Sequence, residues 1–197
     1  MSLWKSWNKY SKRIMDLFSA NQLMWAAFIV GNSAPLLFIT LYKTQKISRE
    51  LFNLYFLGVL VGLSWEIPFA IAGKSFHLIL IDWPIDLPLV RNITYSFIDG
   101  LIFIAGVFLA KAYLKNKQFL CNFNSTALLI MIIWGSFSEF LVDLNGNGKL
   151  WLFIENWYNP VFITINDNGL TIIPQLIWFV APIVYYLSIL KFQSKIL

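Results

Sequence analysis

The feature that most constrains this chain is a series of about five apolar stretches, each near the roughly 20 residues that a helix needs to cross a hydrocarbon core. They lie at 22–42, 51–73, 94–114, 123–144 and 170–190. Stretches this long and this uniformly apolar predict an all-α membrane protein, a bundle of about five transmembrane helices. Residues 1–20 are different. There Trp4, Trp7, Leu17 and Phe18 are interspersed with Lys5, Lys9, Lys12 and Arg13, which reads as an amphipathic, interfacial N-terminal helix preceding the bundle.

Composition agrees with this reading: 13% of residues are charged, against about 25% in an average soluble domain. No linker-like stretch or charge block divides the chain, so residues 1–197 are read as a single transmembrane domain without repeats. The net charge of +5 does not point to nucleic acid, because the basic residues stand singly at the ends of apolar segments, where they anchor helices. One cysteine, Cys121, and one histidine, His77, build neither a metal quartet nor a redox pair, so no metal and no cofactor is expected. His77 follows the second stretch in a loop and is expected to be solvated. Asp143-Leu144-Asn145-Gly146-Asn147-Gly148 begins like a calcium loop, but Ile154 stands where that loop needs its glutamate, so it reads as a turn. Oligomeric state is left open.

Five spans put the 43–50 and 115–122 connections and the C-terminal tail at one end, with Lys43, Lys46, Arg49, Lys111, Lys115, Lys117, Lys191 and Lys195. Glu66, Asp82, Asp86, Asp99, Glu139, Asp143, Glu155 and Asp167 fall toward the other end. That acidic end is placed away from the cytosol. Its connections are long and rich in tryptophan, and are expected to pack over the bundle as lids.

A charged side chain at mid-membrane costs about 2.5–3.5 kcal/mol on insertion scales, so an acid within a span needs a partner, water or a proton. Three spans hold one: Glu66, Asp99 and Glu139. Glu66 lies about 10 Å from the end of the second stretch at helical rise, and the other two lie at comparable depth, so the three are expected to meet in one pocket. The competing reading is that each acid hydrogen-bonds a neighbouring helix. A carboxyl group without water around it is more stable neutral, and a neutral carboxyl can protonate an alkene. The resulting carbocation needs aromatic faces, for which Trp65, Tyr95, Trp134, Trp178 and Tyr185 are the candidates, unless they serve only as packing.

Asn92-Ile93-Thr94 with Asp99, Gly135 with Glu139 and Asp143, and Trp178 followed by Pro182 together resemble the emopamil-binding-protein (EXPERA) superfamily over residues 51–190. Its members are small five-helix membrane proteins that include a sterol isomerase and lipid-binding relatives. The resemblance implies that Glu66, Asp99 and Trp178 line a sterol pocket. This chain departs from the pattern at Gly62, where the isomerase carries a histidine one turn before its second-helix glutamate. Trp65-Glu66 is also similar to small membrane-bound terpene cyclases, which use a glutamate and an aspartate to protonate an isoprenoid alkene or epoxide.

The expected function is therefore an isomerase or terpene cyclase acting by proton transfer on an apolar sterol-like or isoprenoid lipid. Glu66 would be the acid, Asp99 its partner or the base, and Glu139 a tuner of both. The alternative is a non-catalytic lipid-binding or membrane-chaperone protein. An ion carrier is less favoured, because no repeated or broken helices pair up.

Overall fold

The computed structural model describes residues 19–196 apart from 86, 166 and 167. The interfacial segment expected at 1–20 therefore lies, but for its last two residues, outside the described residues, as do Asp86 and Asp167. Five long helices follow one another: α1 (Ala20–Lys43), α2 (Arg49–Ala72), α3 (Pro88–Leu114), α4 (Ser125–Gly146) and α5 (Ile172–Lys191). All five are long and apolar enough to cross a membrane.

Local chemistry sets their ends. Ser19 and Gln22 form a reciprocal capping box at the start of α1, while Ser48 and Asn124 accept backbone N–H bonds at the starts of α2 and α4. Pro88, which has no N–H to leave unsatisfied, opens α3. Gly73, at φ +56°, ends α2 in a conformation that a side chain would oppose.

Helices α2, α3, α4 and α5 pack in that order into a ring, with α1 laid outside against α3. Adjacent helices approach closely where small residues allow it. A Cβ added to Gly58 of α2 would stand 3.0 Å from the Cα of Gly100 in α3, and one on Gly31 of α1 would stand 2.5 Å from the Thr94 methyl. The seam between α2 and α5, which closes the ring, is the sparsest of the four. At the basic end Lys117 bridges to Glu50 at 2.9 Å, and the Tyr186 hydroxyl joins α5 to the 119–124 segment, donating to the Phe119 carbonyl and accepting from the Asn124 N–H.

The chain is mostly helical, as expected, with short strands confined to the connections at the acidic end. At the acidic end β1 (His77–Ile79) pairs antiparallel with β2 (Trp151–Phe153), so that His77 faces Phe153 and Ile79 faces Trp151. This small sheet ties the α2–α3 connection to the α4–α5 connection across the mouth of the ring. A hairpin of β3 (Val161–Ile165) and β4 (Asn168–Thr171) then leads into α5. Strands form here because long connections near the ring mouth must satisfy their own backbone groups, and the run Val161-Phe162-Ile163-Thr164-Ile165 has the β-branched and aromatic character that strands favour.

Candidate functional site

Each of three helices contributes one carboxyl group to a common cavity of about 460 Å³ at the acidic end of the ring: Glu66 from α2, Asp99 from α3 and Glu139 from α4. All three side chains are buried. Their groups interact electrostatically, for Glu66 acts on Asp99, and Asp143, Asp99 and Glu66 all act on Glu139. Glu66 Oε2 accepts a 2.7 Å hydrogen bond from Asn92 Nδ2, and the buried Arg91 contributes a positive charge to the same carboxyl. Asp99 Oδ2 has no hydrogen-bond partner among the described residues. It lies against the bare backbone of Gly62, where an added Cβ would come within 2.6 Å of it. The fourth acid, Asp143, is deeper in the wall, where Oδ2 accepts from Gln175 Nε2 at 2.9 Å.

The remaining lining is largely aromatic and aliphatic. Trp65 and Trp178 meet edge to face with centroids 5.6 Å apart, and Trp178 in turn stacks on Phe103 at 5.4 Å. Gly135 makes room for this arrangement, since a Cβ there would stand 2.8 Å from Pro182 and 3.3 Å from the Trp178 carbonyl oxygen. Tyr95 also lines the cavity, edge-on to Trp83 and Trp151, with its hydroxyl lacking a hydrogen-bond partner among the described residues. The β1–β2 sheet covers the mouth through His77, Trp151 and Phe153.

His77 is the clearest correction to the sequence reading. Expected in solvent, it is 6% exposed, stacked on Phe153 at 4.8 Å, and it lines the cavity. Burial, seconded by the positive charge of Arg91, pushes its imidazole down to about 3, so it is neutral at ordinary pH.

Of the eight residues singled out from sequence, six line the cavity: Glu66, Asp99, Glu139, Trp65, Tyr95 and Trp178. The other two lie elsewhere. Trp134 points between α3 and α4 and donates its indole N–H to the Ile102 carbonyl at 2.9 Å, and the fully buried Tyr185 donates to the Leu54 carbonyl at 3.0 Å. Arg91, Asn92 and Trp151 were not singled out as site residues. Arg91 and Asn92 precede the third apolar stretch, which begins at 94, whereas the helix starts at Pro88, and a proline at the first helical position is itself a start signal. Among the described residues no group of three His, Cys, Asp or Glu side chains is arranged to hold a metal ion.

Compared with models of protein families, with curated proteins and with solved structures, the chain matches none.

Proposed function

We propose that this chain is a multi-pass membrane protein that transfers a proton to and from the alkene of a sterol-like or isoprenoid lipid held in the acid-lined cavity. The observation that carries the proposal is the convergence of Glu66, Asp99 and Glu139 from three helices on one cavity that is otherwise walled by aromatic and aliphatic side chains. Three acids are costly to keep among apolar helices, and an arrangement of that cost points to use. Membrane insertion is supported by the outward faces: Leu36 and Leu37 of α1, Ile133 of α4 and Phe179 of α5 are each at least half exposed. The acidic end faces away from the cytosol in this reading.

Glu66 delivers its proton to one alkene carbon, and the cation left on the adjacent carbon lies against the faces of Trp65 and Trp178. In an isomerisation Asp99 then takes a proton from a neighbouring carbon, which restores a double bond at a new position; in a cyclisation a second alkene of the same chain first attacks the cation to form the ring bond, and Asp99 takes the proton from the carbon next to the cation this leaves. Glu139, interacting with both, returns the proton between them. The reaction is redox-neutral and needs no cofactor.

The test is lipid mass spectrometry on protein purified with its native lipids, comparing wild type with Glu66→Gln. A lipid that accumulates on the variant, with its isomer or cyclised product found only with wild type, is the expected outcome. The same unaltered lipid on both would instead make the protein a lipid-binding or chaperone-like relative without catalysis.

A further inference from the structure

A second cavity, of about 560 Å³, lies along the outer seam of α2 and α5, and its lining differs in kind from the first. It is apolar apart from the indole of Trp65 and from Ser64, whose hydroxyl is already committed to the Val61 carbonyl at 2.6 Å. A polar headgroup would find no partner there. On the outward side Leu176, Val180 and Val184 of α5 are each about half exposed, in a helix apolar enough to span a membrane, so the groove opens where acyl chains would be. On the inward side it is separated from the acid cavity only by Trp65, Phe69 and Ile177, which line both spaces. The groove lies at the sparsest seam of the ring, where Pro68 of α2 contributes to its wall.

Phe69 is also the side chain through which this partition touches the lid. Its ring meets Phe153 at 5.7 Å and His77 at 5.8 Å, both edge-on. A chain pressing past Phe69 therefore presses on the sheet that covers the acids.

We propose that the α2–α5 groove is a hydrocarbon-chain site and the lateral port of the acid cavity. The occupant is the tail of a membrane amphiphile whose unsaturated or polar end rests among Glu66, Asp99 and Glu139. The substrate class is thereby narrowed to lipids with a long flexible chain. The inference rests on the cavity's proposed function for what the inner end does, but the tail site stands on its own geometry.

The experiment is photolabelling in lipid nanodiscs with hexadecanol carrying a mid-chain diazirine, followed by peptide mass spectrometry. Label is expected to concentrate on Leu176, Val180 and Val184 of α5 and on Val61 of α2, well above the equally lipid-facing Leu36 and Leu37 of α1. Val180→Trp, which fills the groove from its exposed side, is expected to lower the groove label several-fold, and Leu36→Trp, on the exposed face of α1 away from both cavities, is expected to leave it unchanged. Label spread evenly over α1 and α5, or groove label insensitive to Val180→Trp, overturns the site whatever the lipid assay shows. Concentrated label without lipid conversion by wild type keeps the tail site and removes the catalytic reading.

Discussion

Asn92 of α3 donates a 2.7 Å hydrogen bond to Glu66 of α2, and this is the one hydrogen bond by which an amide side chain grips an acid of the triad among the described residues. Glu66→Gln leaves an oxygen acceptor in place, so its thermal unfolding midpoint in detergent is expected to stay near that of wild type. Asn92→Leu strips the buried Glu66 oxygen of this donor and is expected to cost about 1–3 kcal/mol. Equal losses for the two variants would show that something other than this bond orients Glu66.

Gly62 and Asp99 set the second prediction. Gly62→Ala drives a methyl group into the Asp99 carboxylate, within 2.6 Å of Oδ2. Overpacking of this kind costs about 1–3 kcal/mol and moves the acid. Loss of both thermal stability and lipid conversion is expected, whereas a fully active Gly62→Ala would mean that the position of Asp99 is unimportant.

His77 gives a pH dependence of defined sign. Its folded pKa of about 3 lies below the ordinary 6.5, through burial and then the charge of Arg91, so the unfolded chain binds this proton more readily. Its contribution to stability is complete above about 6.5 and is lost as pH falls from there toward 3. The other groups packed on it, Phe69, Trp151 and Phe153, do not titrate. At about pH 5 wild type is expected to lose roughly 2 kcal/mol that His77→Phe keeps. Parallel melting curves for the two proteins across this range would remove His77 as the source.

Cys121 reports orientation. It is the only cysteine in the chain, it is exposed, and it follows the Gln118–Leu120 turn at the basic end. A membrane-impermeant maleimide is expected to label it from the cytosolic side of intact vesicles, and labelling from the opposite side would invert the topology.

The number of long helices, their order and the end at which the acids gather were legible in the sequence, because they depend on local properties. Length of apolar run, the caps Ser48 and Asn124, and the stop at Gly73 act within one helix and its flanks. That Glu66, Asp99 and Glu139 belong to one end of the bundle followed from the alternation of the spans. What each aromatic faces did not follow. Trp65 and Trp178 line the cavity while Trp134 and Tyr185 fill helix seams, yet all four sit in helices that are apolar over most of their surface. Where the surroundings of a helix are as apolar as its neighbours, a single acid marks its inner side only coarsely, and its exact rotation is decided by contacts such as Gly58 on Gly100 and Gly135 on Pro182. The burial of His77 and the pairing of β1 with β2 are likewise tertiary, since they join connections more than seventy residues apart. Sequence thus determined that three acids lie toward one end of the bundle, and only packing decided that they share a roofed cavity with the aromatics that surround them.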